Sequence, residues 1–553
     1  MIETSPILPL LVLVPLLCGL GMAFMPRGRD EIVKTMTLAV SLVVFALSLW
    51  MCAAFNWGDS ANTDQLFFRA YWIEALGVSF YFGVDSISVW LIMLTTFLMP
   101  ITVLGSFNAV HSRVKEFYLW LLVLEAAMIG VFAARDLILF YTCFELTLIP
   151  MYFLIGIWGS GNRTWAAKKF FIFTLTGSLL TFAGLVYVAW FHASATGTWT
   201  FAISPLLVSA STQMTATQQA WVLGALLAGF AVKVPLFPVH TWLPLAHTEA
   251  PTSGSVILAG VLLKLGTYGL LRFALPMTPL AVVEYAPAIA VFAIIGILYA
   301  ALICWVQDDI KKLVAYSSIS HLGFCVLGMF ALNATGVGGS VMYMINHGLS
   351  TGALFLCVGM IYERYHTRDM NQMSGLGRRL PIWSFFMVFF CLASVGLPGL
   401  NGFVGEFLTL LGAFTQDELL GPWFAAVAAL GLILAAIYIL YMVGRVVLGP
   451  VKEPAAHAGA KDLGLREIAV LTPLALGCVW LGVYPTPVLR SLEAPIDKLT
   501  APARLVLEQQ TAQPEVSRST PAPAFVPTDH LERLDMEHPT VAGGPADEEV
   551  NHD

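Results

Sequence analysis

The sequence predicts an all-α protein that crosses a membrane many times. Hydrophobic residues make up 58% of its 553 residues and charged residues only 11%, which excludes a soluble globule with a polar surface. Apolar windows of about 20 residues recur along the chain, and each is long enough to cross a hydrocarbon core roughly 30 Å thick. Four ionisable side chains, Glu145, Lys233, Lys264 and Glu406, nevertheless lie inside such windows. A charge at this depth costs on the order of 3 kcal/mol, so these residues indicate a functional interior.

We place fourteen membrane-spanning helices on the apolar windows. They cover residues 6–26, 32–55, 84–107, 115–134, 136–158, 168–191, 219–236, 252–273, 281–304, 311–331, 338–362, 381–413, 423–448 and 467–487. The residues after about 490 are rich in Pro, Glu, Asp and Ala and show no apolar periodicity. This composition predicts a polar tail over 491–553 that is disordered or lies on the surface.

Basic residues in the loops predict the orientation of the bundle. One set of alternate loops holds eighteen Lys and Arg residues, whereas the other set, without the tail, holds only Arg69, Arg135 and Arg272. The positive-inside rule places the first set in the cytoplasm and both termini on the outer side. Arg135 and Arg272 lie near span ends, where snorkelling to the interface is expected. The two basic residues left inside spans are Lys233 and Lys264.

Two helices are predicted to be broken inside the membrane, at comparable places in two halves of the chain. Three prolines follow Lys233 within residues 231–244, and Pro both lacks an amide donor and clashes with the preceding helical turn. Five spans later, a proline and several glycines precede Glu406 within residues 395–406. Irregular backbone at this depth survives only where protein buries it or water lines it. Paired interrupted helices indicate a transporter with inverted repeats and mark its site.

Histidines extend this set of proton-carrying groups. His321 and His347 lie near the middle of their spans, and imidazole exchanges protons close to neutral pH. His240 and His247 flank the first broken helix near its cytoplasmic end, where each serves either proton uptake or capping of the backbone. The residues alone leave both alternatives open. Glu125, in the fourth span, equally fits a proton route or a structural role.

The chemistry follows from burial, which disfavours the charged forms of both lysine and glutamate, whereas an ion pair between them favours those forms. If Glu145 approaches Lys233, the lysine keeps its proton; if the pair opens, the lysine can release it. Lys264 is the next acceptor, and His321, His347 and Glu406 lead onward. The alternative is a set of buried salt bridges that only fix helix packing.

Four motifs resemble the antiporter-like membrane subunits of respiratory NADH–quinone oxidoreductase, or complex I. They are FELTLIPMYFLIGIWG at 144–159, KVPLFPVHTWLPLAHTEAP at 233–251, DIKKLVAYSSISHLGF at 309–324 and GLPGLNGFVGEF at 396–407. The resemblance covers about residues 80–490. In this family an acid in the second broken helix is typical of the chain M (subunit 4) branch, and a lysine there is typical of chains L and N. Glu406 therefore indicates the chain M branch.

The resemblance implies a role for each residue. Glu145 and Lys233 form a coupling pair, Lys264 is the central relay, His321 and His347 connect it across the midplane, and Glu406 is the outlet. Flavin, iron–sulfur clusters and the quinone site belong to partner subunits, and this chain offers no phosphate-binding glycine loop and no cysteine cluster. The implied partners are two antiporter-like paralogues, chains L and N, a lateral helix from one of them, and membrane lipids, but no nucleic acid.

The resemblance also divides the chain. Residues 1–110 hold three N-terminal helices, 111–280 and 281–450 form two inverted five-helix repeats with one broken helix each, and 451–490 hold the last span. Because these repeats recur in related complexes, a subunit of a multi-chain sodium–proton antiporter or of a membrane-bound hydrogenase is one alternative. A scaffold that conducts no protons is the other. In all cases we expect a multi-pass protein of a bacterial inner membrane.

Overall fold

The computed structural model describes residues 5–26, 28–454 and 459–512, and these residues form a helical bundle with one small β-hairpin. Nineteen helices are numbered here in chain order. They are α1 Ile7–Met22, α2 Asp30–Ala54, α3 Ser86–Gly105, α4 Val114–Ala133, α5 Leu137–Trp158, α6 Arg163–Thr196, α7 Ile203–Gln213, α8 Ala216–Lys233, α9 Leu243–Glu249, α10 Thr252–Met277, α11 Pro279–Trp305, α12 Ile310–Phe330, α13 Ala334–Tyr365, α14 Leu376–Arg379, α15 Pro381–Ser394, α16 Asn401–Phe414, α17 Pro422–Val446, α18 Leu465–Val483 and α19 Thr486–Ala512.

The all-α membrane fold is confirmed. In the described residues, eleven helices are long and apolar enough to span a membrane, and each coincides with a predicted span. Of the three other predicted spans, one corresponds to the shorter helix α1, one to α8, and one to the pair α15 and α16. The count of fourteen, the inverted relation of the repeats and the orientation stay predictions.

Four helices form the centre of the bundle. Almost all residues of α4, α10, α12 and α13 are buried, whereas fewer than half are buried in the most apolar windows of α2, α6 and α18. An exposed apolar surface is what lipid-facing helices require, because lipid replaces water there. The central helices are thus shielded from lipid by a ring of outer helices, and they are the elements that carry Lys264, His321 and His347.

Both broken helices are present. Helix α8 ends at Lys233 and α9 begins at Leu243, with irregular backbone between them. Helix α15 ends at Ser394 and α16 begins at Asn401, after a turn in which Gly396 and Gly399 have positive φ. Only glycine adopts such φ values without strain. The prolines and glycines therefore act as predicted, by ending each helix inside the bundle.

A hairpin between α2 and α3 was not predicted. Strands β1 (Gln65–Ile73) and β2 (Val78–Val84) pair antiparallel and turn at Gly77. A Cβ atom at Gly77 would lie 2.5 Å from the carbonyl oxygen of Trp199, so the turn requires glycine. The span windows assigned this segment to a loop, because a strand of seven to nine residues is too short to register in them.

The expectation that residues after about 490 lack apolar periodicity is wrong up to residue 512. Residues 486–512 form helix α19, which packs one face on the bundle. Its buried residues are spaced three or four apart, as on one side of an α-helix: Val488, Leu492, Ile496, Leu499, Ala503 and Leu507. The rest of the predicted tail, 513–553, lies outside the described residues.

Candidate functional site

Lys264 lies at the centre of the bundle, on helix α10. Its side chain is fully buried, and Nζ lies 2.7 Å from Nδ1 of His347 on α13. Nζ also donates to the carbonyl oxygen of Ala259. That carbonyl lies in a π-helical turn, Leu258–Leu262, and a second π-helical turn, Leu270–Ala274, follows Lys264. Such turns interrupt the regular i→i−4 bonding and are frequent at functional sites.

The two predicted histidines lie side by side next to Lys264. The rings of His347 and His321 meet edge to face with centroids 5.8 Å apart, and both side chains are buried. Nε2 of His347 has no hydrogen-bond partner among the described residues. Two imidazoles thus continue the contact that Lys264 begins.

Glu406 ends this line of contacts. Nδ1 of His321 lies 3.4 Å from Oε1 of Glu406 and 2.5 Å from the hydroxyl of Tyr343, which donates to the same carboxylate oxygen. Nε2 of His321 lies 3.3 Å from the hydroxyl of Ser394, at the end of α15. The structure therefore brings together the predicted residues Lys264, His347, His321 and Glu406 in one buried cluster. We call these four residues and Tyr343 the central line.

Sequence reasoning missed Tyr343. It lies four residues before His347, so the helical repeat alone places both on one face of α13. The turn before α16 is shaped around the same carboxylate, because a Cβ atom on Gly396 would lie 2.2 Å from Oε2 of Glu406. Glycine at this position thus leaves space for the carboxylate as well as providing the turn.

Glu145 and Lys233 are neighbours but do not form a direct ion pair. Nζ of Lys233 instead donates to the hydroxyl of Thr147 at 3.1 Å and lies 4.6 Å from the centre of the Phe144 ring. Oε1 of Glu145 is buried without a hydrogen-bond partner among the described residues. The lysine is close enough to interact electrostatically with the carboxylate. The predicted pair is thus present in an open arrangement.

The two ionisable residues stand differently at their breaks. Lys233 is the last residue of the helix before its break, whereas Glu406 follows its break, in the second turn of α16. They lie on opposite sides of their respective breaks, as the order of the residues in the sequence requires.

His240 and His247 lie in and after the first break. His240 packs between the rings of Phe237 and Tyr299, at centroid distances of 5.7 and 5.5 Å. His247 is fully buried and stacks on Phe355 at 4.6 Å, and neither of its ring nitrogens has a hydrogen-bond partner in the described structure. Such a bare imidazole in a protein interior needs an explanation.

Lys311 corrects the loop count. Lys311, the first residue of the predicted span 311–331, was counted among the eighteen basic residues of the cytoplasmic loops, but it is buried in the first turn of α12, and Nζ donates to the carbonyl oxygen of Ala250 at 2.5 Å. It lines a cavity of about 640 Å³ together with Glu249. His247 lies within electrostatic range of both Lys311 and Lys264. A buried lysine of the cavity wall and Lys264 of the central line thus both act on the same imidazole.

The structure also shows the surroundings of Arg272, Arg135 and Glu125. Arg272 does not snorkel, because it is buried and holds Asp85 in a two-point ion pair, with both contacts at 2.7 Å. Arg135 is buried as well. Glu125 is fully buried, and neither of its carboxylate oxygens has a partner among the described residues.

Comparisons with known proteins identify the same family that the sequence motifs resemble. Residues 134–444 match the family described as "NADH:quinone oxidoreductase/Mrp antiporter, TM". The chain is 42% identical over 490 residues to NADH-ubiquinone oxidoreductase chain 4 of Marchantia polymorpha, covering 88% of this chain and 96% of the relative. It is 43% identical over 490 residues to NADH-quinone oxidoreductase subunit M of Rhodobacter capsulatus, covering 87% and 93%. A chain of respiratory complex I from Thermus thermophilus with bound NADH superposes with a TM-score of 0.79 at 30% identity, covering 90% of this chain and 99% of that one.

Proposed function

This chain belongs to the antiporter-like membrane subunits of NADH–quinone oxidoreductase, in the subunit M or chain 4 branch, and we propose that it carries protons across the membrane through its central line. The observation that supports this most is the succession of contacts from Lys264 through His347, His321 and Tyr343 to Glu406. Each member both accepts and donates a proton, and each is buried away from competing solvent.

We propose that protons leave the cytoplasm through the cavity lined by Lys311 and Glu249. His247 lies within electrostatic range of Lys311 and Lys264, and its ring nitrogens without hydrogen bonds suit a group that passes a proton rather than one that fixes a helix. His240 packs against two aromatic rings, and we assign it no step in this route. From Lys264 the proton moves to His347, crosses to His321 with one bridging water or a ring rotation, and leaves through Glu406 to the periplasm.

The open pair of Glu145 and Lys233 controls this line. When the carboxylate approaches, the lysine holds its proton, because the ion pair offsets the cost of burying both charges. When the pair opens, that support is lost and the lysine releases the proton. Quinone reduction in other subunits drives the change, so this chain performs no redox chemistry itself, and flavin, iron–sulfur clusters and quinone reside in its partners. We place it in a bacterial inner membrane, between the chain L and chain N paralogues and beside the lateral helix, with both termini periplasmic.

Glu406→Gln in the assembled complex tests the proposal. The amide keeps the size of the side chain but cannot exchange a proton, so NADH-driven acidification of inverted vesicles should fall by about tenfold or more. Glu418→Gln, an exposed acid beyond the same helix, is the matched control and should pump normally. If the chain is instead a scaffold that conducts no protons, the assembled Glu406→Gln complex should pump as well as the control. Normal pumping by an assembled Glu406→Gln complex would exclude the proposed outlet.

A further inference from the structure

A second polar site lies at one end of the bundle, away from the central line. Three span ends meet there: the start of α3 after Asp85, the junction of α4 and α5 at Arg135, and the last turns of α10 at Arg272. Helices α7 and α19 close the sides. The space between them has a volume of about 240 Å³, and we call it the arginine pocket. At roughly 30 Å³ per liquid water, this space accommodates a polyatomic group.

Arg135 is the least satisfied group in the pocket wall. Only 4% of the residue is exposed. A guanidinium has five donors, but Arg135 makes a single side-chain hydrogen bond in the described structure, to the hydroxyl of Ser204 at 3.3 Å. Its Nε makes no hydrogen bond, and its ion pair with Asp64 is long, 3.7 Å, to a carboxylate whose side chain is 47% exposed. A buried cation in this state keeps donors that no acceptor within hydrogen-bonding distance satisfies.

The other charged side chains that line the pocket do not supply the missing acceptor for Arg135. Asp85 is held by the guanidinium of Arg272 through two contacts of 2.7 Å, so these two charges neutralise each other. Lys498 stands exposed at the rim, where Nζ reaches only the carbonyl oxygen of Ala61 at 3.3 Å. The pocket wall therefore carries three cations and one carboxylate.

The remaining wall is apolar and opens towards lipid. Leu207 and Val208 of α7 and Leu499 of α19 line the pocket, and 61% of Val208 is exposed. Span ends lie at the level of the phospholipid headgroups. An inorganic anion needs cations but gains nothing from an apolar wall, whereas a phospholipid needs both.

We propose that the arginine pocket binds the phosphate of an anionic phospholipid, with Arg135 and Lys498 as its donors and the acyl chains along Leu207 and Val208. Arg135 offers the planar pair of donors that matches two phosphate oxygens. Lys498 adds a point charge at the rim. The site is independent of the proton route and stands whether or not the central line conducts.

Thiol protection tests this site in the purified whole complex. Ser211→Cys places a thiol in the pocket wall, and its reaction with an uncharged maleimide is followed by mass spectrometry at that residue. Vesicles of equal parts phosphatidylglycerol and phosphatidylcholine should slow the reaction by about tenfold relative to pure phosphatidylcholine, as expected for a charged hydrogen-bonded contact. Millimolar inorganic phosphate in phosphatidylcholine should not slow it.

Variants connect the protection to the proposed donors. Arg135→Gln should abolish the difference between the two vesicles, and Arg135→Lys should restore part of it. Lys498→Gln, an exposed change that leaves the bundle intact, should weaken the protection by about fivefold, equivalent to about 1 kcal/mol for one basic residue. Arg504→Gln, on the same helix but outside the pocket, should keep it. Equal protection by both vesicles, or protection that survives Arg135→Gln, would overturn the site. Protection by phosphate alone would overturn its assignment to a lipid.

Discussion

The two broken helices differ in how their ionisable residues are connected. At the first break, Lys233 and Glu145 stand apart, and the lysine is held by Thr147 and an aromatic ring. At the second break, Glu406 contacts both Tyr343 and His321. Both breaks supply irregular backbone inside the bundle, but one holds an open pair and the other a closed network.

Under the proposed function, this difference separates the residues that control proton passage from those that conduct the proton. A proton crosses a closed network without any helix moving, since its members already touch. At the open pair, the charge on Lys233 depends on the distance between its ammonium group and the carboxylate of Glu145. A movement of the helices that changes this distance therefore changes the charge. We therefore assign regulation to the first break and passage to the second, with Lys264 as the junction between them.

Lys264→Met should have the largest effect, because it removes the junction on which both regions depend. We expect NADH-driven proton pumping to fall on the order of 100-fold, the usual loss for an acid–base group. Lys168→Met, an exposed lysine on α6, is the control for removal of a basic residue and should retain pumping. Comparable activity of both variants in assembled complexes would remove Lys264 from the route.

Tyr343→Phe should sharpen the comparison at the closed end. It deletes the hydroxyl that joins His321 to Glu406 but leaves those two side chains 3.4 Å apart. Pumping should fall by about tenfold, consistent with one lost hydrogen bond to a charged group. Tyr285→Phe on α11 removes an exposed hydroxyl that has no hydrogen bond in the described structure and lies outside the entry cavity, and it should change nothing. If the two variants behave alike, the network does not conduct through Tyr343.

Thr147→Val should have a smaller effect at the open end. Without the hydroxyl, Lys233 loses one hydrogen bond worth about 1 kcal/mol, so the balance moves towards pairing with Glu145 by about fivefold. The maximal pumping rate should fall by a similar factor, because the lysine releases its proton less readily. Thr176→Val on the exposed side of α6 serves as control. An unchanged rate would show that Thr147 does not hold the open arrangement.

Composition and breaker residues were enough to predict much of this site. A lysine or glutamate in an apolar window is visible without any structure, and so are the prolines after Lys233 and the glycines before Glu406. These signals are local, because they depend on what one helix can tolerate in a membrane. They identified the residues but not their contacts.

Contacts between helices could not be predicted from such local signals. Tyr343 and Glu406 are 63 residues apart in the chain, and no pattern within either helix shows that they touch. Lys311 was misplaced because it stands at a span boundary, where windows do not separate a loop from a buried first turn. Helix α19 was missed because the whole segment after residue 490 was judged by its content of Pro, Glu, Asp and Ala, although the apolar residues of 486–512 keep a helical spacing.

The rate of NADH-driven proton pumping by an assembled Lys233→Ala complex tests the central claim most directly. In sealed inverted vesicles, the initial rate of acidification is measured while assembly is verified by the NADH dehydrogenase activity of the peripheral subunits. We predict that pumping and coupled quinone reduction both fall by about tenfold or more, because the open pair loses the residue that Glu145 controls. A normal pumping rate in the assembled Lys233→Ala complex would contradict the account.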